Sequence, residues 1–394
     1  MAGDGAHDDG RQGRESGARI LLVISASPDP DLVSRIAEDR FPRKDYLELA
    51  KATNGQILFR SVVSQHPISR IVARLLGVPA AQAALAFMRR REFDVVFTDA
   101  ENIGLWLALL FKVFRVRRRH VMIGHLPSTS WKQLFFRYLK VHSHIDSIIC
   151  HSSLQRRLLI GQQGVPAERV VLLPYAVDER FWRPAAAAPA GPICSAGLEF
   201  RDYRTLIAAV RDLPLDVVIA AASHWSKREN EANQIALPPN VRVTALNYED
   251  LRRLYAQSRF VVVPLKEVDF QAGITTILEA MAMGKAIVVT QTRGQRDVVR
   301  GETGLPLPVV GRPPSGFPDF ENECGASADQ TGLYVPPGDS GLLRQAIEQL
   351  MAHPDQAMEL GARGRRLIEC LMTLDQYVAR IAALLRAGDH IVTR

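Results

Sequence analysis

Short apolar runs alternate with amphipathic stretches along most of the chain. ARILLVIS (18–25), FDVVFTDA (93–100), RHVMIGHL (119–126), SIICHSS (147–153) and VVLLPYAV (170–177) each enter a loop of polar or small residues. That is the pattern of strands buried on both faces. Helical spacing fills the gaps, notably over 67–88 and 131–141. The pattern restarts with ICSAGL (193–198), LDVVIAAAS (215–223), VRVTAL (241–246), RFVVVPL (259–265) and KAIVVT (285–290) as strands. RTLIAAVRDL (204–213), YEDLRRLYAQ (248–257) and TILEAMAMG (276–284) read as the helices between them, and GLLRQAIEQLMAH (341–353) and 354–388 as the closing ones. Such alternation argues parallel sheets covered by helices on both sides.

The chain is therefore read as α/β, with two Rossmann-like doubly wound domains facing each other across a cleft. Its 394 residues suit two such domains. The boundaries expected are a disordered polar tail at 1–17, a first domain at 18–184, the small Pro-rich linker AAAAPAGP at 185–192 and a second domain at 193–374. Residues 375–394 read as a C-terminal helix placed to pack back on the first domain. The tail lacks the apolar core of a secretory signal. Ligands in open parallel sheets bind at the C-terminal strand ends, so the site is expected in the cleft. Residues 301 to about 330, rich in Pro, Gly and acids, read as a long irregular loop.

Charge adds an asymmetry. The net charge is +7, but residues 18–184 hold 25 Lys and Arg against 14 Asp and Glu, and residues 185–394 hold 22 against 24. A basic first half suits solvated surface, or contact with an anionic membrane or acceptor. No nucleic-acid-binding signature accompanies it. LWLALLFKVF (105–114) is too short to span a bilayer and reads as a core helix; it and WKQLFFRYLK (131–140) also suit an interfacial helix. The four cysteines, Cys150, Cys194, Cys324 and Cys370, stand in no ligand spacing and fit reduced thiols in a cytoplasmic protein. Asp29 and Asp31, after the first strand, read as a turn and helix N-cap, not a metal site.

Five segments then fall in one order. PYAVDERFWRP (174–184), CSAGLEFRDYRTLIAAV (194–210), YEDLRRLYAQSRFVVVPL (248–265), QAGITTILEAMAMGKAIVVT (271–290) and TGLYVPPGDSGLLRQAIEQLM (331–351) resemble the hinge and second domain of glycosyltransferase family 4, retaining sugar-nucleotide-dependent enzymes of the GT-B fold. The match is close in the hinge and second domain and mainly one of pattern in the first. The resemblance implies donor-binding roles for Gly197, Arg201, Lys266, Gly273, Ile274, Thr275, Thr276 and Glu279, with Glu279 on the ribose. Elementary chemistry agrees: a helix start offers free N–H groups and positive dipole to a diphosphate, and a guanidinium fork suits its oxygens. His125, at a strand end, and Gln271 are the catalytic-side residues implied.

Three departures stand out. Gln271 occupies the position of the family's first donor-loop glutamate. Leu198 follows Gly197 where an arginine is usual, and SASPDPD (25–31) replaces a Gly-Gly loop. The expectation is a retaining transfer from a nucleotide-diphosphate sugar to a hydroxyl acceptor, with no cofactor and no metal. A lipid-linked or polysaccharide-precursor acceptor fits the charge asymmetry, with the protein in the cytoplasm, at the inner face of the plasma membrane. The alternatives are a non-catalytic nucleotide-sugar-binding scaffold and a soluble natural-product glycosyltransferase.

Overall fold

The structure is a computed structural model that describes residues 18–27, 29–125, 130–185, 191–221, 236–299 and 330–386. Its first sheet is built from β1 (Ile20–Ile24), β2 (Gln56–Phe59), β3 (Val95–Thr98), β4 (Arg119–Ile123), β5 (Ser147–Cys150) and β6 (Val170–Leu172). The second is built from β7 (Ile193–Ala196), β8 (Val217–Ala220), β9 (Val241–Thr244), β10 (Val261–Val263), β11 (Ile287–Thr290) and β12 (Gly332–Val335). The strand orders are β2-β1-β3-β4-β5-β6 and β12-β11-β10-β7-β8-β9, and every pairing is parallel.

Alternation along each strand divides the core into layers. In β1, Leu21 and Val23 pack under the helices Val78–Met88 and Glu101–Val113. Ile20, Leu22 and Ile24 face the opposite layer, with Leu49 from the helix Asp45–Thr53 and Tyr377, Val378 and Ile381 from the C-terminal helix Leu374–Arg386. In the second sheet Val261, Val263, Ile287 and Val289 meet the helices Ile274–Ala282 and Pro354–Leu371. Val262 and Val288 meet Tyr203–Val210 and Ser340–Ala352.

The chain crosses between the domains twice, and the two crossings are bonded together. Val177 N–H donates to the Met372 carbonyl and Leu374 N–H to the Val177 carbonyl, both at 3.0 Å. Arg43 fastens this junction from the first domain. Its Nε and Nη2 donate to Asp178 Oδ1 at 2.9 and 2.7 Å, and its Nη1 reaches Asp375 Oδ1 at 2.6 Å.

Several expectations need correction. β2 was not anticipated: it is a short edge strand with one buried residue, so it lacks the apolar run that marks the others. β12 lies inside a segment read as turn and helix. The 67–88 helix is two helices, Pro67–Leu76 and Val78–Met88, broken at Gly77, whose φ of 89° is outside the helical range. The long closing helix breaks at Met372–Thr373, where the chain returns to the first domain. Asp31 stands at the N-cap position of Leu32–Ala37 without a capping bond; instead Asp29 Oδ1 accepts from Asp31 N–H at 3.1 Å. Cys150 and Cys194 are free and buried, but Cys370 is disulfide-bonded, so cysteine usage does not argue for a reducing compartment. Cys324, the tail at 1–17, most of the linker and the 301–329 loop lie outside the described residues. No helix among the described residues is long and apolar enough to cross a membrane.

Asp178 and Arg43 are largely buried, with side chains 4% and 14% exposed, so removing one partner strands a charge. Asp178→Ala should destabilise the protein by about 3–5 kcal/mol in urea unfolding. Arg344→Ala, which removes the exposed Arg344–Glu348 pair, should cost no more than about 1 kcal/mol. Equal effects would show that the junction is not anchored as described.

Candidate functional site

In the second sheet the strand order reverses between β7 and β10, which opens a crevice at their C-terminal ends. Arg201 fills the base of that crevice. It is 6% exposed, and its guanidinium donates through Nε to the Ala196 carbonyl at 2.9 Å, through Nη1 to the Glu199 carbonyl at 2.9 Å and through Nη2 to Thr276 Oγ1 at 3.0 Å. Two glycines flank it. A Cβ on Gly197 would sit 2.4 Å from Nη2, and one on Gly273 would sit 3.4 Å from Nη1 and 3.0 Å from Leu265 and Val263. Both have left-handed backbone, with φ of 96° and 75°. Gly197 therefore makes room for Arg201, a role distinct from letting the backbone approach a ligand.

Gly273 also opens the helix Ile274–Ala282. The helices Tyr203–Val210, Tyr248–Gln257 and Ser340–Ala352 are capped by Asp202, Asn247 and Asp339. The helix after Gly273 has no side-chain cap, so the first-turn N–H groups of Ile274, Thr275 and Thr276 have no partner of that kind. Thr275 is exposed. Thr276 is buried, and its hydroxyl is committed to Arg201 and, at 3.3 Å, to the Ala196 carbonyl. Lys266 is exposed on the loop after β10, its N–H bonded to the Phe200 carbonyl at 3.0 Å. Phe200 itself has a φ of 55°, a strained value for an aromatic residue, and its ring meets Phe270 edge-on at 4.9 Å.

One turn further along the helix, Glu279 is 8% exposed and accepts a hydrogen bond from Tyr255 Oη at 3.2 Å. Burial pushes its carboxyl up to about 8, opposed by the Tyr255 bond and by the charges of Lys44 and Arg201. Gln271 is 5% exposed, and neither its Oε1 nor its Nε2 has a hydrogen-bond partner. A buried amide without partners is costly unless something else supplies them.

The first domain reaches this place through residues 39–44, which sequence reading missed. Asp39 pairs with Arg252 at 3.0 Å and with Arg183 at 2.7 Å, and Arg40 pairs with Glu249 at 3.3 Å. The Phe41 ring meets Tyr248 at 4.5 Å, and the Lys44 ammonium lies 4.8 Å from the Phe41 ring centre and 5.7 Å from that of Tyr248. Burial lowers the Lys44 pKa, and Glu279 is among the charges that oppose this. Nothing in the local sequence marks Lys44. Tyr255 falls within a segment that resembled the family, but the pattern does not say that its hydroxyl meets Glu279. Gln295, fully buried with an unpartnered amide, was also missed. Its neighbour Gly294 packs so tightly that a Cβ there would lie 2.1 Å from the Phe270 carbonyl oxygen.

His125 follows β4, in the first domain, and is not brought together with the Arg201 group by any contact. Its Nε2 lies 3.0 Å from the Asp99 carbonyl, which can only accept, so Nε2 carries a proton. Its Nδ1 lies 2.8 Å from Tyr175 Oη, and its N–H donates to Glu101 Oε2 at 2.8 Å. Glu101 in turn holds Lys132 in a buried pair at 2.6 Å. Asp99 is pushed up to about 6 by burial, although Ser25 donates to it from N–H and hydroxyl. With Asp45 and Tyr377 it lines a small cavity at the C-terminal ends of β1, β3 and β4. Across the cleft, Asp297 Oδ1 accepts from the Ser153 hydroxyl at 2.9 Å. Of the other histidines, His120 and His151 are buried and held near 3 by desolvation, and His224 lies outside the described residues.

Residues 29–181 match the Glycosyltransferase Family 4 model, and residues 201–353 match the model of Glycosyl transferases group 1. No curated protein matches the sequence. Among solved structures, sucrose-phosphate synthase from Thermosynechococcus elongatus superposes with a TM-score of 0.64 at 16% identity, covering 93% of this chain and 98% of that one. Anabaena HepE, solved with UDP and glucose, gives 0.63 at 14% identity, covering 93% and 99%. A glycosyltransferase from Rickettsia africae gives 0.63 at 14% identity, covering 94% and 100%. These likenesses identify the two facing parallel sheets as the GT-B fold. Matched in both of its halves, the chain belongs to the group 1 and family 4 glycosyltransferases.

Proposed function

We propose that the protein transfers a sugar from a nucleoside-diphosphate donor to a hydroxyl acceptor, with retention at the anomeric carbon. The observation that carries this reading is the pair of under-partnered polar groups beside the uncapped helix start: the Glu279 carboxyl, driven up to about 8, and the buried Gln271 amide. Ribose hydroxyls would satisfy the first, and hydroxyls of the donor sugar the second.

In this reading the diphosphate lies at the N–H groups of Ile274–Thr276, with Thr275 and Lys266 at its solvent side. Arg201 acts from below: three of its five N–H donors are already engaged, so it supplies positive field and fixes Thr276 and the loop rather than a free fork. As the bond from C1 to the diphosphate breaks, the acceptor oxygen bonds to C1 on the same face and its proton passes to the departing phosphate. The protein contributes positioning and charge stabilisation, and no metal or other cofactor is called for. The first domain presents the acceptor near its own strand ends. His125, with both ring nitrogens engaged, holds the Tyr175 and Asp99 side of that surface. A lipid-linked or polysaccharide-precursor acceptor fits the basic first domain. HepE, solved with UDP-glucose, makes UDP the first nucleotide to test. Gln271 supports a second reading, a non-catalytic nucleotide-sugar binder, because the family's carboxylate is absent there.

Calorimetric titration with UDP, GDP and ADP should find micromolar binding of one nucleotide, weakened about tenfold or more by Glu279→Ala. Binding of none would sink the donor-site assignment. Gln271→Glu separates the two readings: an active parent enzyme supports transfer, whereas a silent parent activated by the glutamate supports loss of catalysis.

Glu279 also predicts two pH effects. Ribose hydroxyls favour the charged carboxylate, so nucleotide binding at pH 7 should release close to one proton. Titration heats should then vary with the buffer's ionisation enthalpy in the parent and not in Glu279→Gln. In the free protein the folded pKa of about 8 lies above the ordinary 4.5, so the folded state holds the proton more tightly. Stability is greatest below about 4.5 on this account and falls as the pH rises to about 8. Glu279→Gln should flatten that fall and raise the urea midpoint at pH 8; a midpoint at or below the parent's would refute the burial argument.

A further inference from the structure

We infer that the helix Pro67–Leu76 is a docking element for an anionic lipid membrane. Its sequence is amphipathic, but its wide apolar side faces outward. Val72 and Ala73 pack toward the first-domain core, while Ile68, Ile71, Leu75 and Leu76 are exposed, the last three at 61%, 76% and 55%. Arg70 and Arg74 are exposed on the same helix. Such a surface is unfavourable in water and suits the boundary between headgroups and acyl chains, where cations meet lipid phosphates and apolar side chains enter the acyl region. At ten residues the helix is too short to cross a bilayer, so it would lie in the interface.

The surrounding charge commits the surface to an anionic partner. Between Glu48 and Glu92 the chain holds seven Lys and Arg and no carboxylate; between Glu101 and Asp146 it holds eight and none. The helices from these stretches lie on the same side of the first sheet. Of the fourteen large apolar side chains exposed among the described residues, ten lie within them. These include Phe114, Trp131 and Tyr138, each on a segment that also carries exposed cations. Apolar exposure and unbalanced positive charge thus coincide, which a merely solvated basic face does not require and a second copy of the same basic face would oppose. The inference bears on the acceptor but does not depend on the donor-site assignment.

The test is sedimentation of the full-length protein with phosphatidylcholine vesicles and with phosphatidylcholine–phosphatidylglycerol vesicles at equal lipid. Binding is expected to the anionic vesicles, to weaken with salt, and to be at least tenfold poorer on phosphatidylcholine alone. The double variant Arg70→Gln, Arg74→Gln should weaken it about 30-fold. Ile71→Ser, Leu75→Ser should weaken it at least tenfold. Both variants alter exposed positions, so an unchanged thermal midpoint and nucleotide affinity are expected and separate this result from any failure at the donor site. Parent-like binding by both variants, or no binding to anionic vesicles, overturns the assignment. So does a dimer that Ile71→Ser, Leu75→Ser converts to monomer, since the face would then belong to a second copy.

Discussion

The geometry of this molecule depends on the bond between its two crossings. Val177 exchanges backbone hydrogen bonds with Met372 and Leu374, so the outgoing and returning chains form one junction. It sets the point from which the C-terminal helix Leu374–Arg386 enters the first-domain core, where Tyr377, Val378 and Ile381 pack with β1 residues. Because that helix is covalently continuous with Pro354–Leu371, which packs beneath the helix Ile274–Ala282, the second domain is tied to the first at both ends. Arg43 and Asp178 fix the junction's orientation: two guanidinium nitrogens donate to Asp178 Oδ1 while the Arg43 backbone N–H donates to Oδ2.

Within the second domain, the equivalent constraint is the burial of Arg201. A guanidinium removed from water needs its donors satisfied, and three of its nitrogens find acceptors at Ala196, Glu199 and Thr276. Those bonds tie the end of β7 to the first turn of the helix after Gly273. The two left-handed glycines follow from this arrangement, because a side chain at Gly197 would strike the guanidinium and one at Gly273 would press on Leu265 and Val263. What faces the cleft is then a helix start with no cap of its own and a fixed positive charge behind it, a place where an anion is stabilised by field as well as by hydrogen bonds.

Much of this was legible in the sequence because central parallel strands are long apolar runs, and ILLVI or IVVT admits few other readings. Two of the four edge strands carry no such signature: QILF has one buried residue, and GLYV is embedded among turn residues. Both unpredicted strands lie at sheet edges, where a strand need not be apolar on both faces. At the site, Arg201, Gly273 and Glu279 were visible through segments that resembled a family, since their neighbours on the chain are also their neighbours in space. Lys44, Phe41 and Gln295 were not. Lys44 and Phe41 reach the site only because the junction brings the first domain across, a consequence of tertiary geometry that no local pattern encodes. Gly197 was implied only as a donor-binding residue by resemblance, and the contact that its missing side chain permits, with the Arg201 guanidinium, is another feature that no local pattern encodes.

The first domain's part in the site has a consequence for Glu279. Its carboxyl is held up mainly by burial, and the Lys44 charge opposes that effect. Separation of the domains would act on it in two opposing ways: removing Lys44 would raise the pKa further, and admitting water would lower it. Burial is the larger influence, so the opened site favours the carboxylate, the form that accepts hydrogen bonds from two ribose hydroxyls. If Glu279 holds the ribose as proposed, closure over it would replace lost water with those hydroxyls and return Lys44 to the carboxylate's side. Closure over an empty site offers no such replacement and leaves a proton on Glu279. On the proposed reading, the ionisation of one buried glutamate would link the approach of residues 39–44 to ribose binding.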